Sequence, residues 1–264
     1  MSVAAGPLWL VGCGNMGGAM LRRWVASGID PASITVIDPG TPAVPDGLRV
    51  LSDASAAESA PATIVLAVKP QQLDAVASTL AAAKPSLLLS ILAGVEVTAL
   101  SARIPAGAIV RAMPNLPVAI GRGVTALYTE TEPGRAVAEA LAAPLGHVEW
   151  IADEAQFDAV TALSGCGPGF VFRFADALAA AGAALGLPVD QAQRLALATL
   201  EGSAMMAAAA DVSPATLADR VASPGGSTLE GLNVLDRNDA LVRLLTETLQ
   251  ASARRNGEMA AAAR

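Results

Sequence analysis

Runs of consecutive apolar residues alternate with stretches of helical spacing along residues 1–152. "LWLVG" (8–12), "ITVID" (34–38), "TIVLAV" (63–68), "SLLLSIL" (86–92) and "AIVRAM" (108–113) each read as a strand buried on both faces. Between them, "MGGAMLRRWVASG", "SDASAAESA", "QQLDAVASTLAAA" and "EVTALSARI" place apolar residues three and four apart, as a helix with one buried face requires. Strands alternating with helices predict a parallel sheet covered on both sides. "GVTALY" (123–128) and "HVEWI" (147–151) add two strands around the helical "EPGRAVAEALAAPL".

From residue 153 to 264 the period is helical throughout: "EAQFDAVTAL", "GFVFRFADALAAAGAALG", "DQAQRLALATLEGSAMMAAAA", "SPATLADRVA" and "DALVRLLTETLQASARRNGEMAAAA". Asp190 and Ser213 stand where N-caps are expected. The pattern therefore predicts an α/β domain over 1–152 and an all-helical domain over 153–264.

Composition narrows the chemistry. A net charge of −7 argues against nucleic acid or an anionic membrane as the main partner. The longest apolar stretches fall short of the roughly 20 residues that a membrane span needs, and no secretory leader is apparent, so a cytoplasmic setting is expected. Two cysteines, Cys13 and Cys166, make no disulfide framework. The single histidine, His147, excludes a three-histidine metal site, and no metal is expected. Chemistry must rest on a cofactor, on backbone groups, or on hydroxyls and carboxylates.

"GCGNMG" spaces Gly12, Gly14 and Gly17 as G-x-G-x-x-G around Asn15 and Met16, after a strand and before a helix. Asp38 closes the next strand, where an acid meets the adenosine ribose of a dinucleotide. The fold class that follows is a Rossmann-type dinucleotide-binding domain. Asp38 accepts from a ribose 2′-hydroxyl and repels a 2′-phosphate, which favours NADH over NADPH; an exposed turn acid is the alternative. A second cluster, "SGCGPG" (164–169), follows a helical run and contains Pro168, so it reads as a helix entry or kink with close backbone packing.

"SPGGST" (223–228) interrupts a helical region. Glycines ahead of a helix expose backbone amides that suit a small carboxylate, with Gly226, Ser227 and Thr228 as donors. The alternative is a loop in which Ser227 or Thr228 caps the helix. Reduction of a ketone needs a proton donor, and no His, Lys or Tyr follows residue 147. A protonated imine needs positioning more than an acid, and the sequence accommodates imine reduction better.

Together "GCGNMG", "LAVKPQ", "AGV" (93–95), "RAMPNLP", "DAVTALSGCGP", "GLP" (186–188) and "SPGGSTLEGL" resemble the pyrroline-5-carboxylate reductase family along nearly the whole chain. The resemblance implies reduction of 1-pyrroline-5-carboxylate to L-proline by NADH or NADPH. It implies that residues 153–264 form a dimerisation and substrate-binding domain, with a homodimer and higher assembly of dimers. It implies a cofactor lining from Ala67, Val68, Lys69, Pro70, Ala93 and Gly94, with Asn115 near the nicotinamide. It implies carboxylate binding by Ser227 and Thr228, with Ser223 opening the same loop and the Thr228 hydroxyl facing the ring nitrogen. Glu154 matches a ligand-contacting position, or is an exposed first-turn acid. Cys166, Gly169 and Phe170 depart from the serine, alanine and tyrosine usual in the family. A β-hydroxyacid dehydrogenase would need a lysine in the helical domain, and none follows Lys84. Another imine reductase or a silent dinucleotide-binding sensor would share the first motif.

Overall fold

The computed structural model describes residues 6–262, the side chains of Met259 and Ala262 excepted. Eight strands form one sheet: β1 (Leu8–Val11), β2 (Ile34–Ile37), β3 (Arg49–Leu51), β4 (Thr63–Leu66), β5 (Leu87–Ser90), β6 (Ala108–Pro114), β7 (Gly123–Tyr128) and β8 (Gly146–Trp150). Their order is β3-β2-β1-β4-β5-β6-β7-β8. Among the described residues the α-helices are α1 (Asn15–Ala26), α2 (Leu73–Leu80), α3 (Val97–Ser101), α4 (Arg135–Ala142), α5 (Phe157–Val160), α6 (Gly167–Ala184), α7 (Val189–Ala208), α8 (Pro214–Val221), α9 (Ser227–Asp236) and α10 (Ala240–Ala262). Among the described residues no helix is long and apolar enough to cross a membrane.

The apolar runs form strands because both faces are covered. Leu8 and Leu10 of β1 enter one core with Trp24 of α1, while Trp9 and Val11 enter another with Leu73, Leu80 and Leu100 of α2 and α3. Strands β1 to β6 pair in parallel. The sheet is not parallel throughout: β7 runs antiparallel to β6, and β8 follows β7 in parallel. The link from β6 to β7 is a short 3₁₀ segment, Leu116–Ile120, which allows a reversal but not a crossover.

Three local expectations need correction. "SDASAAESA" forms only a 3₁₀ turn over Ala54–Ala56, with the Asp53 carboxylate accepting from the Ser55 amide at 2.7 Å. β3 was not visible as an apolar run, because it is a three-residue strand carrying an arginine at the edge of the sheet. Asp190 does not cap α7: Pro188 precedes the helix and Asp190 sits in its first turn, where its charge meets the positive helix end. Ser213 does cap α8, accepting from the Thr216 amide at 3.2 Å.

By packing, the chain divides into one unit running to Cys166 and resuming at Ser252, and a second over Gly167–Ala251. The helical pattern begins near residue 153, but Phe157 of α5 packs with Met113 and Ala126 of the sheet. In the second unit α6 and α7 meet through Ala179, Ala192 and Ala196, small side chains that permit close helix approach.

Trp24 is fully buried and its indole nitrogen donates to the Leu141 carbonyl at 2.7 Å, tying α1 to α4. Trp24→Phe removes that bond and leaves a void, and is expected to cost about 2 kcal/mol. A lower urea midpoint at fixed protein concentration is the readout, and an unchanged midpoint would contradict it.

Candidate active site

β1 ends between β2 and β4, where the strand order reverses direction. Gly12 turns the chain out of the sheet there with φ +90°, and a Cβ would stand 2.7 Å from the Ala67 carbonyl oxygen. At Gly17 a Cβ would collide with the Gly12 carbonyl oxygen, so a bare Cα lets α1 pass close to the turn. Gly14 differs from both. No atom lies within 4 Å of where its Cβ would be, and as the residue ahead of α1 it offers no side-chain cap. The first amides of α1, on Asn15, Met16 and Gly17, are left without a capping oxygen, which leaves them for an anion at the positive helix end.

Asp38 follows β2 and is half-buried. Its Oδ2 accepts from the Cys13 amide at 2.7 Å and its Oδ1 from the Gly40 amide at 2.8 Å. The carboxylate therefore braces the glycine-rich turn, and each oxygen keeps acceptor capacity for a further donor. Burial, then the Asp38 charge, pushes the Cys13 thiol up, against a smaller opposing effect of Arg22. Cys13 stays a neutral thiol at neutral pH.

The opposite wall is built from β4 and β5. Ala67, Val68 and Lys69 lead from β4 into the 3₁₀ turn Pro70–Gln72, where the Gln72 side chain accepts from the Lys69 amide at 3.2 Å. Lys69 itself is exposed. Ala93 and Gly94 follow β5, and Gly94 has φ +72°, with a Cβ there only 2.8 Å from that of Ala260 in α10. Pro70, Ala93 and Gly94 meet at a cavity of about 180 Å³.

Two expected ligand contacts are already engaged within the chain. Asn115 is buried; its Oδ1 accepts from the Val124 amide at 2.8 Å and its Nδ2 donates to the Ser164 carbonyl at 3.0 Å. That side chain fixes the β6–β7 connection and the helical turn at 161–165. Glu154 Oε1 accepts from Arg111 Nη1 at 2.7 Å and from the Val97 amide, the first of α3, at 2.8 Å. The Arg111 guanidinium also lies 4.2 Å from the centroid of the Phe157 ring. Arg111 escaped sequence reasoning, although a charge inside the apolar run "AIVRAM" was the available signal.

In the second unit Ser223–Gly226 forms a tight turn: the Gly226 amide donates to the Ser223 carbonyl at 2.9 Å, Pro224 follows Ser223, and Gly225 has φ +70°. Gly226 precedes α9 with φ −80° and ψ 155° and no side-chain cap. Ser227 and Thr228 are the first two residues of the helix and both are exposed. Capping by either hydroxyl is therefore corrected: the residue at the cap position is a glycine. The start of α9, like that of α1, has no side-chain cap on its first amides.

Comparison with known proteins gives the arrangement its context. Residues 154–259 match the family described as pyrroline-5-carboxylate reductase dimerisation, and residues 8–94 match NADP oxidoreductase coenzyme F420-dependent. The chain is 36% identical to the pyrroline-5-carboxylate reductase of Pseudomonas aeruginosa, over 95% of this chain and 95% of that protein. It superposes with a TM-score of 0.87 on a pyrroline-5-carboxylate reductase from Coxiella burnetii, 29% identical, covering 96% of this chain and 98% of that one. A pyrroline carboxylate reductase of Plasmodium falciparum, solved with NADP bound, gives a TM-score of 0.83 at 26% identity, covering 98% and 99%. The chain belongs to the pyrroline-5-carboxylate reductase family.

In this member of the pyrroline-5-carboxylate reductase family the glycines of "SGCGPG" make no close packing within the chain, contrary to expectation. A Cβ at Gly167 or Gly169 would meet nothing within 4 Å, and at Gly165 it would stand 3.4 Å from Thr161 Cγ2, an ordinary contact. The segment is instead a wide π-type turn over Thr161–Gly165, closed by the Cys166 amide donating to the Thr161 carbonyl at 2.8 Å. Cys166 and Phe170 are half-buried and Gly169 is exposed.

The three glycines of the first loop separate binding from folding. Gly14→Ala is expected to change stability by no more than about 0.5 kcal/mol while weakening NADH binding about tenfold. Gly17→Ala is expected to cost about 1–3 kcal/mol through the clash with Gly12. Thermal unfolding and calorimetric titration read both, and a Gly14→Ala protein that binds NADH like wild type would contradict the assignment.

Proposed function

We propose that this chain reduces the C=N bond of 1-pyrroline-5-carboxylate to give L-proline. The coenzyme supplies the hydride when bound. Among the described residues three helices follow a glycine without a side-chain cap, and the observation that carries the reading is that two of these glycines, Gly14 and Gly226, have extended backbone, whereas Gly134 ahead of α4 is left-handed. One suits a coenzyme diphosphate and the other a small carboxylate. The amides of Ser227 and Thr228 hold the carboxylate, Ser223 and Gly226 shape the turn behind them, and the Thr228 hydroxyl meets the ring nitrogen. The iminium arrives protonated, so the product amine needs no strong acid, in keeping with the lack of His, Lys and Tyr beyond residue 147. Glu154 acts by positioning: it holds Arg111 and the start of α3 rather than the substrate.

Asp38 supports NADH as the preferred coenzyme, since its carboxylate stands where a 2′-phosphate would bring a second negative charge. Residues 1–152 serve the coenzyme, joined by the parts of 153–264 that pack with the first unit, and the rest of 153–264 serves dimerisation and the substrate. The second unit exposes Phe172 at 58%, Leu185 at 89% and Met205 at 62%, apolar surface that pairing of two copies would bury. We read the assembly as a homodimer able to build further assemblies of dimers. Cys13 and Cys166 are both free, which suits a reducing compartment, and we place the activity in the cytoplasm.

Steady-state consumption of NADH with 1-pyrroline-5-carboxylate tests the reading; protein that binds NADH and never consumes it would support a sensor instead. Thr228→Ala is expected to lower kcat/KM for the imine by about tenfold or more, with the Kd for NADH unchanged. An equal loss of NADH affinity would show that the loop has been misassigned. Asp38→Ser is expected to shift the NADPH-to-NADH ratio of kcat/KM about tenfold toward NADPH. An unchanged ratio would remove Asp38 from coenzyme choice.

A further inference from the structure

Among the described residues three buried side-chain polar atoms have no partner, Nε of Arg111, Oγ1 of Thr125 and Nδ2 of Asn256, and two of these residues, Arg111 and Asn256, meet at one cavity. Both residues line the cavity of about 180 Å³ that Ala93 and Gly94 border, and Gln71, Asp158 and Thr161 complete its polar wall. Arg111 is 5% exposed, and it is held by Glu154 on one side and the Phe157 ring on another, so its Nε is fixed in place. A buried donor without an acceptor costs about 1–3 kcal/mol. Two such donors at one cavity indicate a ligand that accepts from both.

The charges around the cavity decide the class of that ligand. Arg111 is its one cationic wall residue, and Glu154 already pairs with it. Asp158 borders the same space. An anion would bring a third negative group to a single positive one, whereas a neutral acceptor would not. Asp158 and Thr161 in turn offer acceptor oxygens. The two orphaned donors, with the acceptor oxygens of Asp158 and Thr161 beside them, match a primary carboxamide, whose carbonyl accepts twice and whose NH₂ donates twice.

We infer that this cavity takes the carboxamide of the bound nicotinamide, with Arg111 Nε and Asn256 Nδ2 donating to its carbonyl and Asp158 and Thr161 accepting from its NH₂. The inference rests on the coenzyme reading given above. It makes the last turns of α10 part of the coenzyme site, which explains why Gly94 must leave room for Ala260. It also gives Arg111 two tasks on separate nitrogens: Nη1 holds Glu154, and Nε meets the ligand.

The test is calorimetric titration of the full-length protein with NADH and with ADP-ribose, which keeps the diphosphate and riboses but lacks the nicotinamide. Asn256→Ala is expected to weaken NADH about fivefold to tenfold, the value of one or two hydrogen bonds, and to leave ADP-ribose within about twofold. Thr161→Val keeps the methyl group and shape, and is expected to weaken NADH about threefold with ADP-ribose unchanged. It decides the question if Asn256→Ala does not fold. Unchanged NADH affinity in both variants would mean that water alone fills the cavity, and would overturn the inference. Equal loss for both ligands would show a purely structural role and overturn it as well. Wild-type protein that binds neither ligand would overturn it together with the coenzyme reading, a pattern that the variants alone cannot produce.

Discussion

A helix leaves its first amides without partners, and what satisfies them decides where this protein can hold an anion. At several starts the answer is internal. Asp30, Asp53 and Asp153 cap 3₁₀ turns, Ser213 caps α8, and Glu154 reaches across to the first amide of α3. At α1, α4 and α9 the residue ahead of the helix is a glycine without a side-chain cap, and at α1 and α9 that glycine is extended rather than left-handed. In the proposed reading, the starts of α1 and α9 take the diphosphate of a coenzyme and the carboxylate of a small substrate.

The α/β unit is organised around the first of them. The reversal of strand order beside β1 opens a crevice at the carboxyl ends of the strands, and Gly12, Gly14 and Gly17 do three different jobs at its floor. Asp38 braces that turn through the Cys13 amide while keeping lone pairs for a ribose. On the far side Arg111 runs from the middle of a buried strand to Glu154, and Glu154 in turn secures the entry to α3. A charge in a strand core is costly unless paired, and this pair meets that cost while linking β6, α3 and the segment before α5.

Much of this was legible in the sequence, because strand runs and glycine spacing are local signals. Seven of the eight strands coincide with apolar runs; β3 does not, since three residues at an edge carry too little pattern. The reversal at β7 was hidden, as a hydrophobic run says nothing about strand direction. The cap at Asp190 failed because Pro188 started the helix earlier. Roles set by distant partners were the least legible. Asn115 and Glu154 are held by distant partners, Ser164 with Val124 and Arg111 with Val97, which no local pattern announces. Asn256 gave no signal at all, because only the fold brings the end of α10 back to Gly94.

The central claim is that the uncapped start of α9 recognises the substrate by its carboxylate. The most direct measurement compares kcat/KM for 1-pyrroline-5-carboxylate with that for 1-pyrroline, which has the same C=N bond and no carboxylate, at saturating NADH. Two charge-assisted bonds to backbone amides predict a preference of about 100-fold or more for the acid. Equal values for the two imines would contradict the account.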